Sequence, residues 1–276
     1  MTAPEVPHTA VSEERIERTI DVQGIPTHLF EAGPATAPPL LYLHGTYLGN
    51  LWLDYHKALA KHFHVFAPDT PGFGLTERPD WMRDMSDYTL YFRDLLNALD
   101  LEKPFIVGHS LGGWMAAEIA VWYPRRVGKL VLSNAAGIRV KGHPIADMFA
   151  INAQELMALC FEKPMAAMPL MPPEVNAQYI LAQYKQSMTL ASLAWNPSYD
   201  PKLERRLALV TCPTLVLWGA NDRLIPAIYG DTYHKLIAGS QLVKLEGTGH
   251  MPMFEQPEEW SATISTFLNE EGKANA

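Results

Sequence analysis

The chain has 276 residues, 48% of them hydrophobic, enough to bury a sizeable core in one large domain or in one domain with an insertion. A formal net charge of −8 repels nucleic acid and anionic membrane, so neither is expected as a partner. The two cysteines, Cys160 and Cys212, lie far apart and do not make a disulfide framework; residues 1–14 show neither the basic nor the apolar region of a signal peptide, so the expectation is a cytoplasmic protein.

Residues 1–14 read as a loose tail. Residues 18–24 and 25–33 read as a hairpin, with Ile20, Val22 and Ile25 alternating. A Pro/Ala loop at 34–39 precedes 40–43, a short apolar run of the kind that forms a strand buried on both faces. Residues 51–62 have helical spacing through Leu51, Tyr55 and Leu59. Residues 64–68 predict a strand, 71–74 a glycine loop, 88–99 an amphipathic helix and 105–107 another strand. A helix-like run at 113–120 leads to a strand at 129–133. Further strands are expected at 214–218 and 241–245, and a closing helix at 258–268. Strands alternating with helices imply right-handed crossovers and a mostly parallel sheet covered on both faces.

One interval breaks the rhythm. No strand-like run lies between Asn134 and Leu209. The segment is rich in Met, Ala and Leu, with helical pieces at 145–161 and 174–193. Met148, Met157, Met165, Met168, Met171 and Met188 are six of the twelve methionines. This predicts a helical insertion over the carboxyl ends of the strands. Polarizable Met side chains suit an adaptable apolar pocket; the alternative is that they pack the insertion's own core. Met148, Met157 and Met168 are the candidate substrate contacts. Trp114 is a further candidate, with core packing as its other reading.

The chemistry concentrates where Gly108-His109-Ser110-Leu111-Gly112 joins a strand to a helix. A serine on such a turn is forced into a strained backbone and presents its hydroxyl outward, and flanking glycines let strand and helix approach. A serine hydroxyl needs a positioned base. Downstream histidines are His143, His234 and His250. His250 follows the last strand in Gly247-Thr248-Gly249-His250, at the same sheet edge as Ser110. Asp222, just after the strand at 214–218, can hold the ring of His250; a turn acid bonding its own backbone is the plainer alternative. The position after Ser133 offers Asn134 and no carboxylate. An oxyanion needs two donors. The Leu111 N–H is one by position, and the Thr46 N–H, in His44-Gly45-Thr46-Tyr47 after the strand at 40–43, is the other.

These features together resemble the α/β-hydrolase fold enzymes over nearly the whole chain. The matching stretches are His44-Gly45, Asp69-Thr70-Pro71-Gly72-Phe73-Gly74, Gly108-His109-Ser110-Leu111-Gly112-Gly113, the segment from Trp218 to Pro226, and that from Gly249 to Pro257. The resemblance implies an α/β fold with a mostly parallel eight-stranded sheet flanked by helices. Residues 15–137 and 209–276 would form the core and 138–208 an inserted helical cap. Asp-nucleophile branches of the family, the epoxide hydrolases and haloalkane dehalogenases, are disfavoured by Ser110. What is implied is a serine acyl-enzyme on Ser110, with His250 and Asp222 completing the triad and no metal or organic cofactor. The expected partner is a small-molecule ester or related carbonyl compound, with room left for a homodimer. The first expectation is hydrolysis of small to medium apolar carboxylic esters. The second is carbon–carbon bond hydrolysis of ring-cleavage dienones, whose enzymes usually have a more glycine-rich oxyanion loop than Thr46-Tyr47-Leu48-Gly49. A non-catalytic binding protein on the same fold is a third, of another class. His62 and His64 read as a surface pair rather than metal ligands, His44 and His109 as loop-orienting groups, and Cys160 as a small buried hydrophobe.

Overall fold

Two antiparallel strands, β1 (Ile16–Val22) and β2 (Ile25–Ala32), open the computed structural model, which describes residues 15–172 and 174–270. The expected tail at 1–14 lies outside the described residues. Gln23 and Gly24 form the hairpin turn with φ of 53° and 84°, the double positive φ that matches the twist of the flanking strands. Six parallel strands follow: β3 (Pro39–Leu43), β4 (His64–Pro68), β5 (Phe105–His109), β6 (Lys129–Ser133), β7 (Thr214–Gly219) and β8 (Gln241–Leu245). The sheet order is β1-β2-β4-β3-β5-β6-β7-β8. The chain therefore runs outward from β3 to β4, then crosses back to place β5 on the other side of β3. Such a reversal opens a crevice at the carboxyl ends of β3 and β5, where ligands bind in open α/β sheets.

Helices cover the sheet: α1 (Asp54–Ala60), α2 (Met85–Ala98) and α3 (Leu111–Trp122) come before β6. The first helix is shorter than the apolar spacing at 51–62 predicts. The second starts earlier than predicted because Asp84 caps it, accepting from the N–H groups of Ser86 (2.9 Å) and Asp87 (3.3 Å). Eleven of the twelve residues of α3 are buried, so this helix, apolar almost all round, is the central one.

The segment between β6 and β7 is helical. It holds α4 (Ala153–Cys160), a 3-10 helix at Pro164–Leu170, α5 (Ala177–Ala194), α6 (Leu203–Arg206) and a 3-10 turn at Leu207–Leu209. The helix expected at 145–161 begins only at Ala153. Asn152 and Glu155 form a capping box, each side chain taking the other's backbone N–H at 2.9 and 2.8 Å. Upstream of it, Ala146 N–H is drawn out to Leu224 O (3.1 Å) instead of entering the helix. The return of the segment is pinned to α3 by a part-buried ion pair, Arg206 Nη2 to the buried Glu118 Oε1 at 2.8 Å. Glu118 also accepts from the indoles of Trp114 (3.3 Å) and Trp122 (3.1 Å), and Arg206 also bonds Asp200. Burial pushes the Glu118 carboxyl above the usual carboxylate range, against the pull of Arg206.

After β7 come α7 (Ile228–Leu236), α8 (Pro252–Glu255) and α9 (Pro257–Asn269). No helix of the described residues is long and apolar enough to cross a membrane.

Candidate active site

Ser110 stands between β5 and α3 with φ 54° and ψ −116°, a left-handed backbone that an L-residue adopts at a cost. The strain is held from both sides. Ser110 N–H donates to Ser133 O at 3.0 Å, and Ser110 O accepts from Ala136 N–H at 3.0 Å. The glycines two residues away make the turn feasible. A Cβ on Gly108 would come 2.3 Å from Gly112 O, and one on Gly112 would come 2.1 Å from Leu43 O. Leu111 is the first residue of α3, so its N–H has no carbonyl partner within the helix. The loop carrying Thr46 runs alongside: a Cβ on Gly45 would lie 3.2 Å from Ser110 Cβ.

The buried His250 ring sits between Ser110 and the buried Asp222. Its Nε2 is 2.9 Å from Ser110 Oγ, and its Nδ1 is 2.8 Å from Asp222 Oδ2. A carboxylate only accepts, so Nδ1 carries the hydrogen and Nε2 turns its lone pair to the serine. The other expected bases are elsewhere. His234 Nδ1 bonds Ser240 Oγ at 2.9 Å, and His143 lies in the inserted segment, its carbonyl taking the Tyr229 hydroxyl at 2.7 Å.

Asp222 bonds more than its own turn. Its Oδ1 accepts from Leu224 N–H (2.9 Å) and Ile225 N–H (2.8 Å), the plain turn-acid arrangement. Its Oδ2 accepts from His250 and from Asn134 Nδ2 at 2.7 Å. Four donors fix both oxygens, which satisfies this buried carboxylate and aims it at the imidazole. Asn134 is the group that sequence reasoning passes over, because it neither titrates nor attacks. Two signals point to it: its place one residue past β6 on the active edge, and its φ of 47°, which Asn tolerates better than most residues.

Two further groups build the site from a distance. Glu255 accepts from Gly249 N–H at 2.6 Å through one oxygen and from Lys163 N–H at 2.7 Å through the other. Cys160 O accepts from the N–H of His250 at 2.7 Å. The end of α4 is thereby bonded to the loop that holds the imidazole. A Cβ on Gly249 would come 2.6 Å from Cys160 O, so the contact needs that glycine. The Cys160 thiol is buried, and burial pushes it far above its ordinary range.

The oxyanion-loop side is held by Asp69. Its Oδ1 accepts from Asn50 N–H (2.5 Å), and its Oδ2 accepts from Leu75 N–H (2.7 Å) and faces His28 Nδ1 (3.0 Å). Burial alone would lower the His28 pKa, but the hydrogen bonds and charges of Asp69 and Glu17 outweigh it and raise it. His44 donates from Nδ1 to Gly45 O (2.8 Å) and accepts at Nε2 from Thr70 N–H (3.0 Å). That pattern requires a neutral ring, and burial lowers its pKa accordingly. His109 is fully buried, its centroid 5.0 Å from that of His250; burial, then the charge of His250, holds it well below the ordinary histidine range. Tyr47, with φ 64°, reaches from the Thr46 loop to α5, its hydroxyl 2.9 Å from Ser187 Oγ.

The expected substrate contacts divide. Met148 and Met157 are half-buried and packed on the core, whereas Met168 is 62% exposed. Trp114 is buried beside Gly137 with its indole N–H on Glu118. It belongs to the network that anchors the inserted segment, in keeping with core packing, the other of its two readings: the carboxylate one helical turn on satisfies its polar edge.

Comparison with known proteins places this arrangement. A model of the alpha/beta hydrolase family matches residues 40–263. The chain is 27% identical over 270 residues to the 2-hydroxy-6-oxo-6-(2'-aminophenyl)hexa-2,4-dienoic acid hydrolase of Metapseudomonas resinovorans, covering 92% of this chain and 91% of that one. It is 26% identical over 265 residues to the human (Homo sapiens) monoacylglycerol lipase ABHD6, covering 87% of this chain and 77% of that one. Among solved structures, a serine hydrolase involved in carbazole degradation superposes with a TM-score of 0.75 at 26% identity, over 94% of this chain and 100% of that chain. With the eight-stranded sheet, the strained serine turn and a family match over most of its length, the chain belongs to the alpha/beta hydrolase family and is a hydrolase of that class.

Proposed function

We propose that the protein is a serine hydrolase that cleaves carboxylic esters of small to medium apolar substrates through an acyl-enzyme on Ser110. The observation that carries this is the row Ser110 Oγ, His250 ring, Asp222 carboxylate, with contacts of 2.9 and 2.8 Å. In acylation, Oγ attacks the ester carbonyl carbon while its proton passes to His250 Nε2. The tetrahedral oxyanion takes the N–H groups of Thr46 and Leu111. Collapse breaks the C–O bond, and the leaving alkoxide takes the proton from Nε2. In deacylation, His250 removes a proton from the water that attacks the acyl carbonyl; collapse of the second tetrahedral intermediate breaks the bond to Ser110 Oγ, which takes that proton back from Nε2 as the acid leaves. Asp222 holds the ring and balances the imidazolium without taking the proton. On this reading the segment 138–208 is the cap, and half-buried Met148 and Met157 contribute to its apolar wall.

A second reading is carbon–carbon bond hydrolysis of ring-cleavage dienones. The full-length similarity to a dienoic acid hydrolase favours it, and the same serine and base would serve. An assay panel separates the two: p-nitrophenyl esters of graded acyl length, one dienone and one lactone. The ester reading expects the highest kcat/KM on an ester, and Ser110→Ala to remove on the order of a million-fold in turnover. A dienone preferred over every ester selects the second reading. Wild-type ester turnover by Ser110→Ala removes Ser110 as the nucleophile and with it both readings; folded protein that turns over nothing in the panel and that a fluorophosphonate does not label leaves a binding protein on this fold.

A further inference from the structure

Helix α5 is turned inside out. At 100° per residue, Ile180, Leu181, Tyr184, Met188 and the C-capping Trp195, whose ring stacks on Phe149 at 5.1 Å, fall within one arc of about 100°. They are 58%, 55%, 61%, 52% and 67% exposed. The face turned to the protein carries polar groups: Gln186 and Thr189 are buried there with Leu190. Ser187 bonds Tyr47, and Thr189 packs on Gly72. A helix on a globular body ordinarily lays its apolar stripe on the core. Here the stripe is left outside.

Its size and charge say what covers it. At roughly 100–200 Å² apiece, the five exposed side chains present on the order of 700 Å², more than the largest apolar patch of a typical monomer and near the roughly 800 Å² per partner of a stable interface. The stripe carries no charge. From residue 164 to residue 199 the sequence holds one acid, Glu174, and one base, Lys185, in a chain of net charge −8. Two such chains repel over most of their surfaces, and this is where they can meet without opposing like charges. A lipid surface fits less well. Interfacial helices turn a Lys/Arg-rich face to the headgroups, whereas α5 has a single basic residue, Lys185, and that one is paired with Glu77 at 3.1 Å.

We propose that the α5 stripe is the interface with a second copy of this chain. The two helices pack antiparallel about a two-fold axis near Tyr184, at the middle of the helix. An uncharged ridge of Ile, Leu, Met and aromatic side chains is self-complementary, as an isologous contact requires.

Sedimentation velocity of the full chain at micromolar concentration tests this. The expected species has twice the 30.8 kDa chain mass. Tyr184→Glu and Met188→Glu are each expected to raise the dimer dissociation constant at least about a hundredfold, without a change in circular dichroism or Tm. Leu209→Glu, 56% exposed but off the stripe, should leave the dimer intact. Independently, Tyr184→Cys should give a disulfide-linked homodimer under mild oxidation, and Leu209→Cys should not. A wild-type chain that stays monomeric up to about 100 µM overturns the proposal, whether or not it then binds phosphatidylcholine vesicles. So does a dimer that survives both glutamates.

Discussion

Asn134 offers the sharpest test of how the site works. Its amide donates to the same Asp222 oxygen that faces His250. The amide's own Oδ1 is buried without a protein partner, so the side chain is oriented through Nδ2, by the carboxylate at 2.7 Å and more weakly by Gly249 O at 3.5 Å. Replacing it by glycine removes that donor and, unlike alanine, accepts the positive φ without strain. A hydrogen bond to a buried charge contributes about 1.5–3 kcal/mol. If the bond mainly serves the developing imidazolium, Asn134→Gly should lower kcat by roughly 10- to 100-fold. Asn134→Ala should add a cost of about 1 kcal/mol in stability from its backbone alone. Initial rates on a p-nitrophenyl ester, measured with Tm for both variants, provide the readout. A kcat within twofold of wild type, with Tm lowered in both, would refute the reasoning and leave Asn134 as a structural plug.

Three further outcomes are expected. Gly112→Ala should abolish folding or cost several kcal/mol, because its Cβ meets backbone oxygens of Leu43 at 2.1 Å and His44 at 2.6 Å; urea unfolding checks this, and a loss below about 1 kcal/mol would contradict it. His44, His56 and His109 are all buried with lowered pKa values, burial being the main cause. Below pH ~6.5 the unfolded chain binds protons that these folded rings do not, so stability should fall with acid by up to about 1.4 kcal/mol per pH unit for each ring. His28, raised instead, stabilises most below its unfolded value, and its contribution is lost as pH rises through the folded one. A urea midpoint that stays flat from pH 7 to about 5.5 would contradict the neutral rings. Finally, Tyr47→Phe and Ser187→Ala remove the same bond. Each should lower kcat by roughly 3- to 10-fold, and the double variant should do no worse; additive losses would mean that the two residues act separately.

Strand positions were legible because a buried strand is a local signal. The runs at 64–68, 129–133 and 241–245 are observed with the same bounds. Ser110 was legible for a similar reason, since its turn is written in neighbouring glycines that backbone clearances explain. Helix ends were less so: α4 starts where Asn152 and Glu155 cap it, not where its apolar spacing begins. Chain order and loop position nominated His250 and Asp222 as partners of Ser110. Their contacts span 140 and 28 residues, and only the order of the sheet sets those distances.

What the sequence determined by itself was the alternation of strands and helices, the serine turn and the helical character of the insertion, all carried by periodicity and steric need within a few residues. The tertiary structure alone decided the fourth bond to Asp222, the docking of Cys160 on the His250 loop, the place of Trp114 in the Glu118 network, and the outward turn of the α5 stripe. Each depends on which surfaces meet after the chain has crossed back on itself. An apolar face in a sequence calls for burial, but only the assembled sheet and insertion show whether the protein supplies it from within.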